Sequence, residues 1–206
     1  MIELKGIDLS KHNLVNDWDK VKQQVDFVIL RAGGNYGGYY KDSKFEQYYD
    51  ACKMRGIPVG AYYDAGKTFI GSDTGRDYAQ HFKALLSGHT FEYPVYLDIE
   101  ATPKKFKKMI TAASVSFCEY MQENKFFIGI YGSDISTFHD MLNIEQVEAY
   151  SKWVARYGVK PKYVKQYAMW QYSSKGRIDG IVGNVDLDIS YCDFKTLIKG
   201  VHLNGN

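Results

Sequence analysis

The sequence predicts an α/β protein whose strands close into a (β/α) barrel of TIM type. Three observations carry this prediction. Strand-like runs of period two alternate with helix-like runs of period 3.6 for most of the chain. The repeated strand-helix order implies parallel strands joined by right-handed crossovers. Finally, about eight strand-like segments are present, enough to close a barrel. The chain has 206 residues, whereas a complete eightfold barrel has roughly 250, so its last helices are expected to be missing. No linker or low-complexity segment interrupts it, and residues 1–206 are read as one domain.

The first strand surrounds Gly6-Ile7-Asp8-Leu9-Ser10. Residues 17–25 place Trp18, Val21 and Val25 at helical spacing, and residues 26–31 read as the second strand. Residues 33–38, glycine-rich around Asn35 and Tyr36, are expected to form a rim loop. They lack the order of a helix-opening G-x-G-x-x-G and the lysine of a P-loop, so no phosphate cradle is read there. Residues 45–55 form a helix closed by Gly56, residues 57–63 the third strand, and residues 71–86 a helix with Ser72 at its N-cap. The fourth strand lies in Tyr93-Pro94-Val95-Tyr96-Leu97-Asp98-Ile99-Glu100, followed by a helix over 106–124 and a strand over 126–131. Beyond that the rhythm changes. A short helix at 135–142 precedes strands at 153–156, 168–172 and 185–189, with little room for helices between them.

Composition narrows the function. An apolar content of 45 % with 24 % charged residues is globular rather than disordered, and a net charge of +2 gives no electrostatic footprint for nucleic acid. Eighteen tyrosines, 11 phenylalanines and 3 tryptophans suit a groove that stacks on flat or ring-shaped ligands. Cys52, Cys118 and Cys192 are isolated, so neither a disulfide framework nor a zinc site is expected. The start shows no basic segment followed by an apolar one, and no apolar run reaches about 18 residues. Neither a secretory signal nor a membrane span is therefore expected.

Acids punctuate the strands. In the fourth, Val95, Leu97 and Ile99 share one face while Tyr96, Asp98 and Glu100 share the other. Asp8 is bracketed by apolar residues near the N-terminus, and Gly183-Asn184-Val185-Asp186-Leu187-Asp188-Ile189-Ser190 repeats the pattern near the C-terminus. Aspartate is depleted from strands and rarely buried without partners, so Asp8, Asp98, Glu100 and Asp186 are expected to converge where the barrel opens. Crowded carboxylates in a low-dielectric site hold at least one proton near neutral pH, and glycoside hydrolysis uses such a proton beside a second, ionised carboxylate. Glu100, with the longer side chain, is the candidate acid. The same oxygens could instead bind magnesium or calcium, as in a metal-dependent polysaccharide hydrolase. His12, His81, His89, His139 and His202 form no H-E-x-x-H, so zinc is not read. Single acids could also pair with Arg31 or Arg156. Asp64 ends the third strand and is a further pocket candidate, whereas Asp188 is expected to bind backbone donors in a structural role.

These residues resemble glycoside hydrolase family 25, the lysozymes that cleave peptidoglycan as N-acetylmuramidases. The resemblance rests on residues 6–10, Val28-Ile29-Leu30-Arg31-Ala32-Gly33, residues 94–100, and Met169-Trp170-Gln171-Tyr172-Ser173-Ser174 leading to residues 183–187. It implies an irregular barrel of about five β/α units followed by further strands, with Glu100 as proton donor and Asp8, Asp98 and Asp186 as the other active-site acids. It also implies that Tyr62, Tyr131 and Trp170 line the groove; Arg31 and Asp64 join them as substrate-binding candidates. Asp98 would act as nucleophile or hold a participating acetamido group. The chain departs from similar enzymes at Tyr62-Tyr63-Asp64, and at Asp188, where several carry asparagine. The expected partner is bacterial peptidoglycan, with no cofactor, metal, nucleic acid or membrane, and the chain is expected to be a monomer. Without a signal, an endolysin-like protein held in the host cytoplasm until release to the wall is favoured over an extracellular lysozyme. A non-catalytic peptidoglycan-binding module is the alternative of a different class.

Overall fold

The structure, a computed structural model, describes residues 2–206. Nine strands form one sheet, and all but the hairpin strand Tyr39–Lys41 close into the predicted barrel. Its strands are β1 (Leu4–Leu9), β2 (Phe27–Asn35), β3 (Val59–Asp64), β4 (Val95–Asp98), β5 (Ile128–Ser133), β6 (Ser151–Ala155), β7 (Met169–Gly176) and β8 (Val185–Ser190). Neighbours from β1 to β7 are parallel, but β8 runs antiparallel to both β7 and β1 and closes the seam between them. The cause is length. Only residues 177–184 separate β7 from β8, and a parallel return needs a crossover of about a dozen residues or more.

Helices α1 (Trp18–Lys22), α2 (Phe45–Met54), α3 (Ser72–Leu85) and α4 (Lys107–Glu123) follow the first four strands. After β5 the crossover shrinks to helical turns at Ser136–Met141 and Ile144–Val147, and between β6 and β7 there is no helix. A last helix, α5 (Phe194–Gly200), follows β8, which the sequence reading did not anticipate. Its Phe194 packs edge-on against Tyr93 and Phe127, each with ring centroids 5.6 Å away, and plugs the base of the barrel. The buried Asn204 behind it donates to the Tyr93 carbonyl at 2.9 Å and accepts from the Phe127 amide at 2.7 Å.

Strand alternation divides the apolar residues into two cores. Val28, Leu30, Val95, Leu97 and Ile130 face the helices and pack with Phe82, Phe117 and Met121. Phe27, Ile29, Tyr96, Tyr131, Trp153 and Met169 fill the barrel interior. Glycine makes room for the large rings there: a Cβ on Gly6 would lie 2.2 Å from the Phe27 ring, and one on Gly129 2.4 Å from the Tyr96 ring.

Two local expectations are corrected. Gly33 and Gly34 are not rim loop but the end of β2, paired with Lys41 and Tyr40. They are glycines because other strands approach closely: a Cβ would meet the Tyr40 carbonyl at 2.2 Å from Gly33 and the Asp64 carbonyl at 2.3 Å from Gly34. The N-cap of α3 is Gly71 at φ 86°, with Ser72 inside the helix.

Candidate active site

At the end of the barrel where the parallel strands finish, a cavity of about 340 Å³ is lined by Asp8, Arg31, Tyr62, Asp64, Asp98, Glu100, Tyr131 and Asp186. Tyr36, Ala101, Trp153, Tyr157 and Gln171 complete its wall. The topology explains the convergence. Asp8 is next to last in β1, Asp64 and Asp98 end β3 and β4 as register partners, and Glu100 lies two residues beyond β4. Asp186 reaches the same rim by a different route from the one expected, because it begins an antiparallel strand rather than ending a parallel one.

Hydrogen bonds fix the wall. Gln171 Nε2 donates to Asp8 Oδ2 at 2.7 Å, while the hydroxyls of Tyr131 and Tyr157 donate to Gln171 Oε1 at 2.8 and 3.1 Å. Asp64 accepts from the Tyr40 hydroxyl and the Gly66 amide, both at 3.0 Å. The Trp153 ring sits 4.3 Å from that of Tyr131 and 6.2 Å from that of Tyr62.

The basic groups that might have neutralised the acids form their ion pairs with other carboxylates. Arg31 Nε donates to Asp42 at 2.7 Å, and Arg156 pairs with Asp134. Among the described residues, no ion pair includes Asp8, Asp98, Glu100 or Asp186. Nor, among them, do three His, Cys, Asp or Glu side chains stand in an arrangement able to hold a metal ion.

The sequence pattern described as Glycosyl hydrolases family 25 matches residues 7–181, most of the chain. The chain belongs to glycosyl hydrolases family 25. It is 29 % identical over 187 residues to the Autolytic lysozyme of Clostridium acetobutylicum, covering 90 % of this chain and 55 % of that protein. It is 27 % identical over 197 residues to Lysozyme M1 of Streptomyces globisporus, covering 89 % and 66 %. The chain thus spans between half and two thirds of the length of these relatives. Among solved structures it resembles the CTP1L endolysin, with a TM-score of 0.82 and 29 % identity over 96 % of this chain and 70 % of that one.

In this family 25 site the acids raise one another's proton affinity. Burial first, then the charge of Asp186, pushes Asp8 up to about 8, against the lowering effect of the Gln171 hydrogen bond. Asp98 is raised well above the usual carboxylate range by burial, then by Glu100, Asp64 and Asp8, while Arg31 pulls it down. Glu100 is exposed at the mouth, yet the wall displaces enough water that desolvation, followed by Asp64 and Asp186, raises it too. Desolvation likewise raises Asp186.

Of the family 25 residues carried over from the sequence, Trp170 does not line the cavity. Along β7, Met169 and Gln171 turn inward, so period two turns Trp170 away; its Nε1 donates to the Arg156 carbonyl at 2.7 Å and its ring packs on Tyr172. The tryptophan in the wall is Trp153. Sequence reasoning missed Trp153, Gln171 and Tyr157. Gln171 carried a signal, a lone polar residue in an apolar strand, as the aspartates did. Tyr157 carried none, since it follows β6 in an irregular segment. Asp188 is also placed otherwise than expected: it is fully buried and bonded to a side chain, Trp153 Nε1, at 2.8 Å.

Proposed function

We propose that this chain is a muramidase that hydrolyses the β-1,4 bond between N-acetylmuramic acid and N-acetylglucosamine in bacterial peptidoglycan. The observation that carries the reading is a cavity walled by five carboxylates, with proton affinities raised and no ion pair on the quartet Asp8, Asp98, Glu100 and Asp186. Such a site holds protons at neutral pH and can release one to a leaving group.

Glu100 is the general acid. Its side chain is the exposed member of the cluster, so it is the one able to pass a proton to the glycosidic oxygen of a bound strand. Asp98, two residues earlier and less exposed, is the second carboxyl of the pair; once it gives up its tightly held proton it supplies negative charge opposite the oxocarbenium character that develops on the sugar. Tyr62 and Tyr131 offer ring faces and hydroxyls against which a sugar can stack and hydrogen-bond, and the buried Trp153 backs both rings. Residues 1–206 form one catalytic domain in this reading, and the chain works at the cell wall, as the names autolytic lysozyme and endolysin describe for its relatives. Among the described residues, no helix is long and apolar enough to cross a membrane.

The test is clearing of purified cell walls by wild type, by wild type with chelator, and by Glu100→Gln. Wild type should clear with or without chelator, and the substitution should slow clearing by about 10²- to 10⁴-fold, the range for losing a general acid. Clearing stopped by chelator would favour a metal-dependent hydrolase. No clearing by a wild-type protein that still sediments with walls would favour a binding module. Reducing-end analysis of the fragments then separates a muramidase from a glucosaminidase.

A further inference from the structure

Asp188 is the one acid of the cluster that does not line the cavity. It lies on β8 opposite Gln171 of β7 and Gly6 of β1, with none of its surface exposed. Because Gly6 has no side chain, nothing on β1 stands directly between Asp188 and Asp8, the inward-facing acid two residues on. One carboxyl oxygen of Asp188, Oδ1, accepts from Trp153 Nε1 at 2.8 Å. The other, Oδ2, is buried and has no donor within reach. The Asp188 carboxyl does lie within hydrogen-bond reach of the Asp8 carboxyl, whose Oδ2 accepts from Gln171.

Two carboxylates have only lone pairs to offer each other, and an unpaired charge excluded from water is expensive. A hydrogen between them removes both difficulties. It belongs on Asp188, the fully buried partner, which thereby becomes a neutral donor in an apolar setting. Burial and then the charge of Asp8 act in the same sense on Asp188.

We propose that Asp188 stays protonated at working pH and is a positioning residue, its Oδ2–H donating to Asp8. Asp8 is then held from two sides, by Gln171 and by Asp188, without a further negative charge in a pocket already rich in them. The titratable groups around Asp188 are Asp186 on its own strand, Asp8 on β1, and the phenols of Tyr96 on β4 and Tyr172 on β7.

The proposal rests on the muramidase reading only for its kinetic consequence; the protonation state is read without turnover. The infrared difference between wild type and Asp188→Asn near pH 7 should contain the carbonyl band of a protonated carboxylic acid. That band should persist while the pH is raised by about one unit above neutral. A difference spectrum holding only carboxylate bands overturns the proposal. In kinetics on purified walls, Asp188→Leu should lower kcat about a hundredfold, the scale of a misplaced catalytic group. Asp188→Asn, whose amide donates to Asp8 and accepts from Trp153, should rescue most of that loss. An asparagine variant as impaired as the leucine one, or a leucine variant as active as wild type, rejects the positioning role. If Asp188→Leu does not fold, the infrared band and the activity of the asparagine variant relative to wild type decide alone.

Discussion

Asp8 and Asp186 face each other across the antiparallel pairing of β1 with β8, acid directly opposite acid. Like charges so placed destabilise a sheet, and burial amplifies the effect. The fold accepts this because the seam is where the first and last strands of the barrel must meet, and because the pair need not be fully ionised. Burial and then Asp186 push Asp8 up to about 8, so the seam binds a proton more tightly than separate carboxyls would.

That proton couples stability to pH. Asp8 binds it more tightly folded than unfolded, so its contribution is complete below the ordinary value of 3.8 and is lost as the pH rises through about 8. Asp98, Glu100, Asp186 and Asp188 are raised as well and act in the same direction. Calorimetry should therefore find Tm falling across this window, with a shallower fall in Asp8→Asn. A Tm that climbs toward pH 8 would contradict the assignment.

Gln171 joins the two tyrosines to Asp8. Replacing it by leucine removes the donor to Asp8 and leaves the Tyr131 and Tyr157 hydroxyls without their acceptor. Gln171→Leu should lower stability by about 1–3 kcal/mol, the cost of unpaired buried polar groups. It should also reduce kcat more than substrate affinity, because Asp8 loses its orientation. Thermal melts and saturation kinetics on wall fragments check the two effects separately.

The segment between β6 and β7 has no helix to hold it, and a single carboxylate takes over that task. Asp134, buried, accepts from the backbone amides of Lys162 at 2.8 Å, Tyr163 at 3.1 Å and Val164 at 2.9 Å, and pairs with Arg156. Burial alone would raise its pKa, but the amides and the guanidinium outweigh it and hold the carboxyl below the usual range. Its stabilisation is therefore present above the ordinary 3.8 and lost as the pH falls through the lowered value. Asp134→Ala should cost about 3–5 kcal/mol by stranding Arg156 and three amides, seen as a lower urea midpoint at neutral pH.

Trp153 and Trp170 offer a comparison between an inward and an outward tryptophan of neighbouring strands. Trp153→Phe removes the donor to Asp188 and reshapes the cavity wall, so wall clearing should slow by about tenfold or more. Trp170→Phe removes one bond to the Arg156 carbonyl and should lower Tm with a smaller effect on clearing. Equal losses of activity in the two would argue that Trp170 touches substrate.

Much of the barrel was legible because its strands obey local rules. Period two in Val95 to Ile99 separates the helix-facing residues from the inward ones, and the strand-helix order through α4 requires parallel pairing. The acids were legible for the same reason: Asp8, Asp98 and Asp186 each interrupt an apolar run where nothing local needs a charge. The direction of β8, the helix α5 beneath the barrel and the strand character of Gly33 and Gly34 depend instead on partners distant in sequence.

The sequence by itself determined the family, the class of fold and the identity of the acids, since each is written in residue type and short-range spacing. Tertiary structure alone decided which groups those acids meet. Only closure of β8 onto β1 sets Asp186 against Asp8 and buries Asp188 beside it, and only the inward turn of β6 and β7 exchanges Trp170 for Trp153 in the wall. The physical reason is that proton affinity and hydrogen bonding depend on distances of a few ångströms between strands, and those distances exist only once the seam has closed.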